Sequence, residues 1–121
     1  MTDIITAFMA AIPGTVRSYY EESTSEADFP YCVASGFDTS GLDFGNQILV
    51  DLDHWSDEGT GKAAALEAQC DTVRLALDQK TISKTGSFRA VIYFESQAVI
   101  VDGEQDLIRR RQTYIVRAFL M

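Results

Sequence analysis

Gly61-Lys62-Ala63-Ala64-Ala65-Leu66-Glu67-Ala68-Gln69-Cys70-Asp71-Thr72-Val73-Arg74-Leu75-Ala76-Leu77-Asp78-Gln79 is the stretch on which the reading of the fold turns. Ala63, Leu66, Cys70, Val73 and Leu77 recur at steps of three and four, so they share one stripe of an α-helix. Lys62, Glu67, Asp71, Arg74 and Asp78 fall mostly off that stripe. The pattern predicts an amphipathic helix over 61–79 that covers one face of a sheet and turns its far side to solvent or a partner. Thr60 or Asp57 is placed to cap its first turn.

On the N-terminal side, Asn46 to Trp55 sets Ile48, Val50 and Leu52 in alternation with Asp51 and Asp53, the pattern of a half-buried strand. Ser56 to Thr60 breaks it. Further upstream, Phe29-Pro30-Tyr31-Cys32-Val33-Ala34 is rich in β-formers and reads as a short first strand, with a Gly- and Asp-containing link from Ser35 to Gly45 behind it. Ile4, Ile5, Phe8, Met9 and Ile12 fall at helical spacing, with Thr2 or Asp3 as cap and Pro13-Gly14 as stop, which predicts a short N-terminal helix. Val16 to Tyr20 reads as a turn or an extended piece, and residues 21–28 as a solvated acidic loop. On the C-terminal side, Phe88 to Val101, a turn at Asp102-Gly103-Glu104, and Leu107 to Met121 form an antiparallel pair. In the last strand Tyr114, Val116, Ala118 and Leu120 share one face, and Arg109, Arg111, Thr113, Ile115, Arg117 and Phe119 the other. That second face is amphipathic, so something beyond water is expected to cover part of it. The order α-β-β-α-β-β predicts a single α+β domain over 1–121, with a mixed or antiparallel sheet of about four strands packed by one main helix.

Ten Lys+Arg against eighteen Asp+Glu leave a net charge of −8, which disfavours sequence-independent binding to nucleic acid, since that binding needs a basic surface. No apolar run approaches the ~20 residues that cross a bilayer, and the first residues lack the basic start of a signal peptide. No membrane partner is expected, and a cytosolic place of synthesis is. Cys32 and Cys70 each sit in an apolar pattern and are expected to be buried free thiols.

Asp51, Asp53, His54, Asp57 and Glu58 form the densest set of potential ligands. Two carboxylates on one strand face plus His54 have the chemistry to hold a divalent ion, but the spacing matches no zinc pattern and no twelve-residue calcium loop. A strand ending in a solvated acidic turn is the plainer reading. His54 is the one imidazole available as a general base, and a lone histidine beside Trp55 more often packs than catalyses. Gly59-Thr60-Gly61-Lys62 precedes a helix but lacks the G-x-x-x-x-G-K-[ST] pattern, with Ala63 where Ser or Thr belongs. No cofactor and no catalytic activity are therefore expected. Arg109-Arg110-Arg111, with Arg117, is the one basic concentration in an acidic chain. One reading is an edge strand protected from aggregation by charge. The other is a salt-sensitive contact with the acidic stretch Glu21, Glu22, Glu26 and Asp28 of a neighbouring copy, a head-to-tail pairing that closes into a ring where the rotation permits.

From Gln47 onward the run Ile48-Leu49-Val50-Asp51-Leu52-Asp53-His54-Trp55-Ser56-Asp57, an Ala/Leu-rich helix to Leu77, a strand ending at Glu95-Ser96, a break, and the strand Arg111-Gln112-Thr113-Tyr114-Ile115-Val116 resemble the tail-terminator and related minor tail or tail-completion proteins of long-tailed bacteriophages and prophages. The resemblance implies a small, catalytically silent α+β subunit of a homo-oligomeric ring, often hexameric. Such a ring caps the finished tail tube, halts its growth and presents a surface to the head-completion or neck protein, so the expected location is the virion tail, assembled in the host cytoplasm. DNA would pass through without specific recognition, and an acidic chain suits a lumen along which a polyanion slides. The interface residues it points to are Arg109, Arg111 and Arg117 on the last strand, with Asp51, Asp53 and Trp55 at the strand end. Two other classes stay open: a small metal-dependent enzyme using Asp51, Asp53, His54 and Asp57, and a protein-binding adaptor outside any virion.

Overall fold

A computed structural model describes residues 2–21, 29–38, 47–100 and 107–120. Along the chain run α1 (Thr2–Ala11), β1 (Arg17–Tyr20), β2 (Tyr31–Asp38), β3 (Gln47–Asp57), α2 (Lys62–Leu77), β4 (Thr81–Lys84), β5 (Phe88–Val99) and β6 (Leu107–Leu120). The expected loop at 22–28 and turn at 102–104, most of the expected link before β3, and the side chain of Leu120 lie outside the described residues.

The α+β class matches the sequence reading, but the sheet has six strands where about four were expected, in the order β1-β2-β3-β6-β5-β4. The two additions are its edges. β1 and β4 are four residues each, too short to display a period of two, and β4 buries only Ile82. Every neighbouring pair is antiparallel except β1 with β2, which is parallel, so the sheet is mixed. The predicted β5–β6 pairing is present, and its register puts Tyr114, Val116 and Ala118 on the buried side, as the alternation required.

Both helices pack on that same side. Val73 and Leu77 of α2 join Ile4, Phe8 and Ile12 in one core with Cys32, Ala34, Val50, Leu52, Ile92 and Tyr114. Phe8 is fully buried, its ring edge-on to Tyr114 at 6.1 Å and to Phe37 at 5.6 Å. Gly36, at φ 75, sits in the irregularity between Ser35 and Asp38 that turns Phe37 inward. α1 touches both edge strands, β1 and β4. In a flat sheet those edges would stand five steps of about 4.8 Å apart, well beyond the ~15 Å length of a ten-residue helix, so the sheet is curled around its core. Asp3 helps to hold the seam. Expected as a helix cap, it lies inside the first turn, and its carboxylate accepts from Ser87 Oγ at 2.7 Å and Lys84 Nζ at 3.0 Å, which holds it below the usual carboxylate range.

Two details of α2 also differ from expectation. Its N-cap is Gly61 in the left-handed region (φ 79), with no side-chain cap from Thr60 or Asp57; Asp57 instead lies 3.6 Å from Lys62 Nζ. Ala63, assigned to the buried stripe, is exposed with the rest of the first turn, and burial begins at Leu66. Gln69 takes a place on the buried stripe beside Cys70. No helix among the described residues is long and apolar enough to cross a membrane.

Candidate functional site

Because both described helices lie inside the curl, the outward face of β2, β3, β6 and β5 has no helix over it among the described residues. Strand alternation decides what it carries. Toward one end, Tyr31, Trp55 and Arg109 stand in one row, and Val33, Asp53, Arg111 and Ala98 in the next. Toward the other, Leu49, Ile115 and Tyr93 form a row, then Gln47, Arg117 and Val91, then Phe119 and Arg89.

The first half is locked by charge. Asp53, directly across from Arg111, takes Arg111 Nε on Oδ1 at 2.8 Å, and Arg109 Nη2 and Arg111 Nη2 on Oδ2 at 2.6 and 3.2 Å. Burial alone would raise the Asp53 pKa, but the hydrogen bonds from Arg111 and Arg109 outweigh it and hold the carboxyl below its ordinary value. Arg109 also lies over the Trp55 ring, 4.6 Å from its centroid. Phe29 stacks on Tyr31 at 5.5 Å, and Tyr31 meets Tyr19 edge-on. Asp51 accepts from Thr113 Oγ1 at 2.9 Å. Of the residues singled out in the sequence, Asp51, Asp53, Trp55, Arg109 and Arg111 therefore come together, on one face and largely satisfied by one another. Arg117 stands apart, exposed, in the second half of the face. Glu21 is exposed at the end of β1, where its backbone N–H donates to the Ala34 carbonyl at 2.7 Å; Glu22 lies outside the described residues.

The second half is apolar and open. Leu49 and Tyr93 are each 40% exposed and Phe119 60%, and they lie beside Ile115 and Val91. Arg89 and Arg117 border them, and neither meets a carboxylate within ion-pair distance among the described residues. The alternation along β5 carried this signal; the sequence reading sorted the faces of β6 and not those of β5.

His54 points the other way, into the core. Gln69 Nε2 donates to its Nδ1 at 2.9 Å, which assigns the ring proton to Nε2, where it is donated to Gln112 Oε1 at 2.7 Å. Gln112 in turn donates to the Cys70 carbonyl and to Gln97 Oε1, each at 3.0 Å, and accepts from Tyr114 OH. Gln97 and Arg110 both reach Glu67 of α2. Burial pushes the His54 pKa below 6.5 against the opposing hydrogen bond from Gln112, so the imidazole is neutral with both nitrogens engaged. The sheet thus separates His54 from Asp51, Asp53 and Asp57, and no group of three or more potential ligands gathers among the described residues. Cys32 and Cys70 are buried free thiols, both pushed up to about 12 by burial, too high for a thiolate nucleophile at neutral pH.

No protein-family model matches the chain, and no curated protein matches it. Among solved structures it is similar to the gp17 protein of bacteriophage SPP1, with a TM-score of 0.39 and 20% identity over 93% of this chain and 83% of that one. That TM-score is too low to establish a common fold.

Proposed function

We propose that the chain is a structural protein of a phage-like particle, a tail terminator that assembles as a homo-oligomeric ring on the end of the tail tube, stops its growth and supports head joining. The observation that carries a binding role is the open half of the sheet, where the exposed Leu49 and Tyr93 flank Ile115 and the exposed Phe119 stands two rows further along, with no helix over them among the described residues. Contiguous exposed apolar surface on a folded chain marks a contact with another protein. The assignment to a tail end is supported by the sequence resemblance from Gln47 onward. A net charge of −8 favours a lumen through which DNA passes without sticking. In this reading the partners are copies of the chain, the tail tube protein and a head-completion or neck protein, with no cofactor and no catalysis. The metal-enzyme alternative needs His54 beside Asp51, Asp53 and Asp57, and β3 holds them on opposite faces.

Tube length is the test. Particles assembled without the chain should carry tubes of scattered and excessive length that do not join heads, and supplying the chain should restore one length. Tubes of unchanged length and normal joining in its absence would overturn the reading.

A further inference from the structure

The open half of the sheet has a counterpart on the opposite side of the molecule. α2 lies inside the curl, so its outward side points away from the outward side of the sheet. On that side Leu75 is 83% exposed, the most exposed large apolar side chain described. Asp71, one turn before it, and Asp78, one turn after, line a shallow hollow with it and with Arg74. The Arg74 guanidinium lies over the Phe94 ring, 4.2 Å from its centroid, and Asp78 Oδ1 accepts from the Phe94 N–H at 2.9 Å, so among the described residues Asp71 is the carboxylate beside Leu75 that meets neither a hydrogen-bond nor an ion-pair partner.

The sheet offers the complement. A hollow of about 480 Å³ opens at Arg89, Val91 and Phe119, and a second of about 270 Å³ at Tyr93, Ile115 and Arg117. One surface is an exposed apolar side chain beside the Asp71 carboxylate; the other is an apolar hollow beside the Arg89 guanidinium. Two copies of a chain at −8 repel each other at large, so association needs an orientation in which local charge reverses that repulsion. This pairing supplies it.

We propose that these two surfaces bind each other between copies: Leu75 of one copy enters the hollow beside Phe119 of the next, with Asp71 facing Arg89. The proposal rests on the oligomeric reading above and assigns its interface. The two surfaces are different and lie on opposite sides, so the contact is head-to-tail and passes from copy to copy, closing into a ring where the rotation allows. It differs from the pairing expected from sequence, because Arg109 and Arg111 already hold Asp53 within the chain.

Sedimentation velocity on the full chain at low salt tests it. The wild type should associate with rising concentration and less so with added salt. Leu75→Asp and Phe119→Asp, each at an exposed site, should separately weaken association by about tenfold or more. Mixed in equal amounts they should form a one-to-one dimer, since each keeps one intact surface. Should Phe119→Asp disturb folding, the charge pair gives the same answer: Arg89→Glu and Asp71→Arg should each weaken association, and the two in one chain should restore it. Variants that associate as the wild type does, or a wild type that stays monomeric throughout, would overturn this interface. Neither result decides the tail-end reading, which is tested separately by tube length.

Discussion

Asp53 is set between two guanidiniums, with its side chain 10% exposed and those of Arg109 and Arg111 18% and 38%. Removing one member of such a group leaves charge of one sign without compensation, which costs more than the intact group contributes. Because both arginines keep some water, the penalty falls below the ~3–5 kcal/mol of a fully buried pair, and Asp53→Asn should lower stability by about 2 kcal/mol in urea unfolding at neutral pH. The folded-state pKa lies below the ordinary 3.8, so the stabilisation is fully present above that value and is lost as pH falls through the lower folded pKa. The gap between wild type and Asp53→Asn should therefore close in acid; a gap that is constant from about pH 7 to about pH 2.5 would contradict the pairing. Residue chemistry was partly legible. The alternation of Asp51 and Asp53 placed both on one strand face, but the candidate ligand set groups His54 with them although its odd-even position sets it on the other. What was hidden is the polar cluster around His54: Gln69 and Gln112 occupy stripe positions where an apolar residue is the rule, and only their mutual hydrogen bonds make them tolerable there.

Among the elements, α2 and the β5–β6 pair were legible because each is long enough to repeat its period several times. The edge strands were less so: Val16 to Tyr20 reads as a turn or an extended piece, and the sequence predicts no strand at 81–84. Arg17–Tyr20 and Thr81–Lys84 owe their extended form to pairing with β2 and β5, and nothing in four residues announces a partner found elsewhere in the chain. The start of α2 was misread for a different reason. Thr60 and Asp57 are good capping residues, but the chain enters the helix through Gly61 at φ 79, a region that side-chain-bearing residues adopt at a cost. Nothing crowds a Cβ at Gly61, so the penalty of Gly61→Ala is backbone strain alone, about 1 kcal/mol, or a fall of roughly 4 °C in Tm. Thr60→Ala should change stability by less than about 0.5 kcal/mol. Thermal melts of the two variants check this: a larger loss at Thr60 than at Gly61 would return the cap to the side chain.

For the molecule as a whole, the consequential feature is the curl. It brings both edge strands to α1, gathers the core on the inside and leaves the outer side of the sheet without a helix over it among the described residues. The strand order β1-β2-β3-β6-β5-β4 depends on contacts between distant parts of the chain, so the local patterns that identified the strands carried no information about their closure. The open apolar half of the sheet and the Leu75 side of α2 follow from that closure, and on the proposed reading they make a subunit with two different binding sides that meets its neighbours head-to-tail. On the proposed reading this chain sits at the end of a tail tube. That position is tested most directly by electron microscopy of negatively stained particles decorated with a gold-labelled antibody to the chain. Label should be confined to the head-proximal end of the tube, on a ring of copies; label spread along the tube, or none on the particle, would rule that position out.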